Sequence, residues 1–268
     1  MSAPVIALLG VGKLGEALLS GLLRAGRPAA ELLAAERYPE RAAEIAQRYG
    51  VATPDPADAV GQADVLLLAV KPQDMRTLLA EVAPSVRPGT LVVSLAAGVT
   101  IGLLEGALPE GTPVVRVMTN TPVFVDEAMS VVSAGTHAAP GQVDLVVDLL
   151  GHVGKVLRLP EAQLDAVTAL SGSGPAYFFF LVEAMVDAGI LLGLPRAVAH
   201  DLIVQTAVGA AVMLRDSGEH PVSLREAVMS PAGTTISAIR VMEDHGVRAA
   251  MLAALEAARD RSRELAGG

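Results

Sequence analysis

Short runs rich in hydrophobic residues occur through the first part of the chain, and helical segments separate these runs. The runs lie at residues 5–9, 31–36, 64–70, 91–95, 113–118, 129–133 and 155–159. Continuous apolar runs are expected for strands that are covered on both faces. Their alternation with helices predicts an α/β fold with a Rossmann-type, doubly wound and mostly parallel sheet.

The hydrophobic pattern changes at about residue 160 from runs typical of strands to the periodicity of helices. Helices are predicted at 163–170, 175–192, 196–214, 222–229, 234–243 and 247–265. We therefore expect a dinucleotide-binding Rossmann domain at 1–160 and an all-helical domain at 161–268.

Several of these helices are apolar on every side, as in Phe178-Phe179-Phe180. Such helices bury more surface than one small domain can cover, so we expect a subunit interface. The most apolar stretch, 176–194, contains Glu183 and Asp187, which favours a buried helix over a membrane span.

A G-x-G-x-x-G motif, formed by Gly10, Gly12 and Gly15, lies between the first strand and the first helix. Here one glycine makes the turn, one lets backbone approach a pyrophosphate, and one lets helix pack on strand. The free N–H groups at the helix N-terminus attract phosphate. Glycine-rich turns also occur for structural reasons, but this context favours a nucleotide cofactor.

Two charged residues follow the second strand and point to different cofactors. Glu36 stands near the position where an acidic side chain holds the adenosine ribose of NAD, whereas Arg37 could pair with the 2′-phosphate of NADP. Either residue is also compatible with an ordinary solvated charge at a strand end, so the sequence leaves the choice open.

Other candidate residues follow the later strands, and the carboxyl ends of parallel strands meet at one edge of a sheet. Lys71, Ala96, Ala97 and Asn120 all fall at this edge, where ligands bind in doubly wound folds. The small side chains after the fourth strand leave room for a flat ring.

The segment 230–239 is predicted to be a turn that enters a helix at about Thr234. Its N–H groups and the hydroxyls of Ser230, Thr234 and Thr235 would form an anion site, although a well-capped helix without a ligand is also compatible. The segment 171–177 has the same form, and capping or close helix packing would explain it.

Composition excludes several kinds of site. The chain has 268 residues, no cysteine, 3% aromatic residues and a net charge of −9, which argues against disulfides, thiolate catalysis and nucleic-acid binding. The five histidines lack metal-ligand spacing, so no metal site is expected.

The only lysines are Lys13, Lys71 and Lys155, which disfavours a dehydrogenase with a lysine acid in its second domain. No signal peptide is recognised, so we expect a cytoplasmic protein that does not bind membranes.

Together these motifs resemble the Δ1-pyrroline-5-carboxylate reductase family over essentially the whole chain. The segments that carry the resemblance are the glycine turn, 69–73, 96–100, 118–122, 165–177 and 230–235. The resemblance implies reduction of the imine of 1-pyrroline-5-carboxylate to L-proline with NADPH or NADH, the last step of proline biosynthesis. It also implies a homodimer formed through a helical, substrate-binding domain, and assembly of dimers into decamers.

The resemblance also implies roles for individual residues. The implied cofactor contacts are Gly10, Gly12, Lys13, Leu14, Arg37, Val70, Lys71, Pro72, Ala96 and Ala97. The implied substrate contacts are Ser230, Gly233, Thr234, Thr235, Asn120 and Glu161, with Thr235 as the catalytic hydrogen-bond donor. The alignment places Arg37 at the phosphate side of the cofactor, which favours NADPH.

Three positions depart from the family pattern. Pro56 replaces an asparagine that reaches the cofactor, Ala232 replaces a common glycine, and Thr119 replaces a common proline. Two alternatives stay open: another imine reductase or hydroxyacid dehydrogenase of the same plan, and a cofactor-sensing protein without turnover.

Overall fold

A seven-stranded sheet forms the centre of the first part of the chain, as predicted. The computed structural model describes residues 3–266. The strands are β1 (Ile6–Leu9), β2 (Leu32–Ala35), β3 (Val65–Leu68), β4 (Leu91–Ser94), β5 (Val114–Met118), β6 (Ala128–Ala134) and β7 (Gly154–Arg158). Their order is β2-β1-β3-β4-β5-β6-β7, and every neighbouring pair is parallel except β5 and β6. The connection 119–127 is too short for a helical crossover, so β6 returns antiparallel.

Helices cover both faces of this sheet. They are α1 (Lys13–Arg24), α2 (Pro39–Tyr49), α3 (Pro56–Gln62), α4 (Pro72–Val82), α5 (Ile101–Ala107) and α6 (Pro140–Gly151). Ile6 and Leu8 of β1 belong to one apolar cluster, and Ala7 and Leu9 belong to the other. Because both faces are buried, the strands lack polar alternation, which is why they were visible in the sequence.

The remaining elements are helical. They are α7 (Leu164–Val167), α8 (Gly174–Leu191), α9 (Arg196–Asp216), α10 (Pro221–Ala227), α11 (Thr234–Asp244) and α12 (Val247–Ala266). The segment predicted as one helix at 163–170 is helical throughout, but it is not one regular α-helix. A 3-10 turn precedes α7, and a π-helical turn, Thr168–Gly172, follows it.

The chain divides into two compact units. The first comprises residues up to Ser173 together with those from Ala258 onward, and the second is Gly174–Ala257. The sheet ends at Arg158, close to the domain boundary predicted at residue 160, which stays a prediction.

Helices α8 and α9 of the second unit pack closely on each other but expose most of their apolar side chains. A Cβ added to Gly189 would lie 2.8 Å from Cβ of Ala199, so the two helices approach closely at this point. Phe178, Phe179 and Phe180 are 69%, 68% and 70% exposed. A single chain therefore does not bury α8, and the expected subunit interface stays a prediction. By length and composition, Glu161–Leu191 and Arg196–Asp216 could each cross a membrane.

Candidate active site

The glycine motif forms a tight turn at the carboxyl end of β1. Gly10 has φ +88° and donates its N–H to the Ala35 carbonyl at 2.9 Å. A Cβ on Gly15 would lie 2.2 Å from the Gly10 oxygen, so only glycine lets α1 pack this close to the turn. Gly12 is the N-cap of α1 and has open space around the position of a Cβ. The turn therefore leaves room for a ligand in front of the α1 N-terminus, where Lys13 and Leu14 follow.

The predicted nicotinamide-side residues lie at the ends of the neighbouring strands. A Cβ on Gly10 would lie 2.7 Å from Cγ1 of Val70, so the segment after β3 contacts the glycine turn. Lys71 is the exposed N-cap of α4, whose first residue is Pro72. Ala96 is buried after β4, and Ala97 is exposed. Strands β1, β3 and β4 are adjacent and parallel, which brings these residues to one edge of the sheet.

The two charged residues after β2 have different environments. Glu36 accepts the N–H of Val11 at 2.9 Å and that of Tyr38 at 3.3 Å. Arg37 is exposed, and its guanidinium makes no ion pair within residues 3–266. The Glu36 carboxylate thus accepts hydrogen bonds from backbone N–H groups of the same chain, whereas the Arg37 guanidinium stays available to a ligand.

Asn120 follows β5, and both its amide nitrogen and its amide oxygen make hydrogen bonds within the first unit. Its Nδ2 donates to the Ser171 carbonyl at 3.0 Å, and its Oδ1 accepts the Met129 N–H at 2.9 Å. Asn120 therefore joins the sheet edge to the π-helical turn. Its predicted substrate contact stays a prediction.

Glu161 is bonded to a buried arginine that the sequence analysis did not identify. Its Oε1 accepts from Arg116 Nη1 at 2.8 Å and from the Ile101 N–H at 2.8 Å. The Arg116 side chain is 6% exposed, so Glu161 neutralises a buried charge. The only signal in the sequence was a lone arginine within an apolar strand. The predicted substrate contact of Glu161 also stays a prediction.

The 230–235 loop lies in the second unit and enters α11 at Thr234, as the sequence predicted. Gly233 is the N-cap, and no described side chain caps the helix. A Cβ on Gly233 would lie 2.2 Å from Oγ of Ser230 and 3.0 Å from its carbonyl oxygen, so Ser230 and the N-cap lie close together in this turn. Ala232 has φ +56°, a conformation that favours glycine. Uncapped N–H groups beside the Thr234 and Thr235 hydroxyls can bind a carboxylate.

Arg41 is a further residue near the glycine turn that the sequence analysis missed. Its Nε donates to the Val11 carbonyl at 3.3 Å, and it forms ion pairs with Glu16 and Glu44. Within the described residues, no group of three or more His, Asp or Glu side chains could hold a metal ion.

Two family descriptions match parts of the chain. Residues 161–265 match "Pyrroline-5-carboxylate reductase dimerisation", and residues 5–98 match "NADP oxidoreductase coenzyme F420-dependent".

Individual relatives match nearly the whole chain. The pyrroline-5-carboxylate reductase of Mycobacterium tuberculosis is 45% identical, with 97% of this chain and 96% of the relative covered. That of Pseudomonas aeruginosa is 44% identical, with 99% and 98% covered.

Solved structures agree with these relatives. The pyrroline-5-carboxylate reductase of Coxiella burnetii has a TM-score of 0.93 at 34% identity, with 98% and 99% of the two chains covered. Plasmodium falciparum pyrroline carboxylate reductase, solved with NADP bound, has a TM-score of 0.89 at 25% identity, with 99% of each chain covered.

Proposed function

Because the chain belongs to the pyrroline-5-carboxylate reductase family, we propose that it reduces the imine of 1-pyrroline-5-carboxylate to L-proline. The reaction is an NAD(P)H-dependent oxidoreduction and the last step of proline biosynthesis. The observation that carries this function is the 230–235 loop, whose glycine N-cap leaves the N-terminus of α11 free for the substrate carboxylate.

The glycine turn fits the pyrophosphate of a nicotinamide nucleotide. Space is open around Gly12, and no described side chain caps α1, so its first N–H groups are available to phosphate oxygens. Val70, Lys71, Pro72, Ala96 and Ala97 would line the nicotinamide half. When bound, the reduced nicotinamide supplies the hydride.

We propose that NADPH is preferred over NADH. Arg37 is exposed and unpaired within residues 3–266, so it can pair with a 2′-phosphate, whereas Glu36 is bonded to the Val11 N–H. The test is to compare KM for NADH and NADPH in wild type and Arg37→Ala. We expect KM for NADPH to rise about tenfold and KM for NADH to change little. Unchanged discrimination would defeat the assignment.

Orientation is the main task of the chain's own residues in this reaction. The N–H groups at the start of α11 hold the carboxylate, and the Thr235 hydroxyl donates to the ring nitrogen as it becomes an amine. Solution acidity protonates the imine, so the site needs no strong acid. This agrees with a second unit that has no lysine.

An activity panel tests the proposed function against its alternatives. Purified protein is assayed with NADPH and 1-pyrroline-5-carboxylate beside 2- and 3-hydroxy acids with NADP. We expect turnover with the imine only. Turnover of a hydroxy acid alone would favour a dehydrogenase, and nucleotide binding without any turnover would favour a cofactor sensor.

We propose that a second copy of the chain covers the exposed apolar faces of α8 and α9 in a homodimer. The exposed phenylalanines and the match of 161–265 to a dimerisation family support this assembly. Light scattering should give at least twice the mass of one chain, and a decamer is the larger assembly to look for. Phe179→Asp should lower the mass, whereas Val125→Asp, at a 69% exposed position outside these helices, should not. A monomeric wild type would contradict the proposal.

We also propose a cytoplasmic location without membrane or nucleic-acid partners. A net charge of −9 disfavours binding to anionic lipids and nucleic acids. Cell fractionation tests the location, and recovery in the membrane fraction would contradict it.

A further inference from the structure

Both peptide groups of Val11 are held by charged side chains from the segment after β2. Its N–H donates to Oε2 of Glu36 at 2.9 Å, and its carbonyl accepts from Nε of Arg41 at 3.3 Å. The Val11 side chain is completely buried. Val11 lies between Gly10 and Gly12, so these contacts constrain the part of the turn that faces the proposed pyrophosphate.

Each terminal nitrogen of the Arg41 guanidinium also pairs with a carboxylate. Nη1 pairs with Glu44 at 2.6 Å, and Nη2 pairs with Glu16 in the first turn of α1. The carboxylates of Glu44 and Glu16 raise the pKa of Arg41, so its charge is permanent. Arg41 therefore joins the glycine turn to α1 and α2, and three of its five N–H donors are committed to these contacts.

Arg48 provides an internal comparison because it also pairs with Glu16, at 2.8 Å. Its side chain is 61% exposed, whereas that of Arg41 is 26% exposed. Solvent screening makes the Arg48 pair the weaker one. Within residues 3–266 Arg48 makes no hydrogen bond to the glycine turn, so it shares the ion-pair partner without sharing the contact to Val11.

We infer that Arg41 is a positioning residue for the nucleotide, acting through Val11 on the glycine turn rather than by touching the ligand. This rests on the proposed nucleotide site. Arg37 and Arg41 then have separable tasks. Arg37 distinguishes NADPH from NADH, whereas Arg41 supports the pyrophosphate site that both nucleotides share.

The test compares Arg41→Met with Arg48→Met by titrating each protein with NADPH and with NADH. For Arg41→Met we expect Kd to rise about tenfold for both nucleotides, with kcat at saturation and KM for the imine unchanged. Arg41→Lys should recover part of the loss, because it keeps the charge between Glu16 and Glu44. Arg48→Met should bind both nucleotides as wild type does.

Each contrary result has a distinct meaning. Loss of NADPH binding alone in Arg41→Met would overturn the inference, because it would indicate direct contact with the 2′-phosphate. Equal losses in Arg41→Met and Arg48→Met, or no loss in either, would also overturn it. If Arg41→Met fails to fold, Arg41→Lys must still show parallel weakening of both nucleotides, and wild-type affinity would contradict the inference. Absence of nucleotide binding by wild type would instead refute the proposed function.

Discussion

Two helix N-termini in this protein use the same local device in contrasting surroundings. Helices α1 and α11 both begin behind a glycine N-cap, Gly12 and Gly233, and no described side chain caps either helix. Helix α1 is largely buried against the sheet, and charged side chains hold its glycine turn. Helix α11 has no buried residue in the described chain. The proposed nucleotide site thus lies in a unit with a large buried core, whereas the proposed substrate loop lies in a unit with few buried residues.

The largest expected effect is at the first of these termini. Gly12→Ala adds a methyl group to the open space in front of α1, and the φ of −70° at Gly12 tolerates alanine. We expect the variant to fold normally and KM for both nucleotides to rise about a hundredfold, since displacement of a ligand by about 1 Å has effects of this size. Gly102→Ala is the control, because it also has open space but lies within α5. Unchanged KM in Gly12→Ala would contradict the proposed position of the pyrophosphate.

A smaller effect is expected at the second terminus. Thr235→Ala removes one positioned donor, so kcat/KM for the imine should fall about 10- to 100-fold while Kd for NADPH stays constant. Thr235→Ser keeps the hydroxyl and should recover most of the activity. Wild-type rates in Thr235→Ala would remove this residue from the mechanism.

The turn before α11 contains strain that the glycine turn avoids. Ala232 has φ +56°, whereas the residue with a comparable conformation before α1 is Gly10. Ala232→Gly should therefore raise the free energy of unfolding by about 1 kcal/mol. Urea denaturation at equal protein concentrations measures this change, and a destabilised variant would contradict the account.

The smallest effect concerns acid stability of the first unit. Burial of Glu16 acts to raise its pKa, but hydrogen bonds from Tyr49 and Arg41 and the charges of Arg41 and Arg48 lower it below 4.5 overall. The contribution of Glu16 to the free energy of unfolding is therefore complete above pH 4.5, and it is lost as the pH falls through the lowered pKa of the folded state. We expect the free energy of unfolding of wild type to exceed that of Glu16→Gln by less than about 1 kcal/mol at pH 7, and the difference to shrink as the pH falls below 4.5. A difference that grows on acidification would contradict this.

The parts of the fold that depend on local sequence were predicted well. Strands buried on both faces give nearly continuous apolar runs, as in β1, β3 and β4, and all seven strands were located with ends that differ by a residue or two. Strand β7 is the exception, because its residues are exposed or half-buried and its run contains Lys155 and Arg158. The segment 163–170 is helical as predicted, but its change from α-helical to π-helical turns was not predicted, because distant residues contact it. Gly172 packs against the Cε methyl of Met118, and Asn120 holds the Ser171 carbonyl. Helical periodicity contains no information about such contacts.

In the candidate site too, features that depend on adjacent residues were predicted, whereas contacts between distant residues were not. The glycine turn and the start of α11 follow from adjacent residues, and both lie where the sequence placed them. The hydrogen bonds of Glu36 with Val11 and of Glu161 with Arg116 join residues that are far apart in the chain. Residue type alone cannot distinguish a charge bonded internally from one available to a ligand. Arg37 and Arg41 illustrate this, because they are four positions apart and have opposite environments.

Transfer of a labelled hydride is the most direct test of whether this protein reduces 1-pyrroline-5-carboxylate to L-proline. The protein is incubated with 1-pyrroline-5-carboxylate and NADPH that carries deuterium at C4 of the nicotinamide, and the product is analysed by mass spectrometry and NMR. We expect L-proline with one deuterium on ring carbon 5, the former imine carbon, from one of the two C4-deuterated epimers of NADPH. Proline without deuterium from both epimers, or oxidation of NADPH without formation of proline, would contradict it.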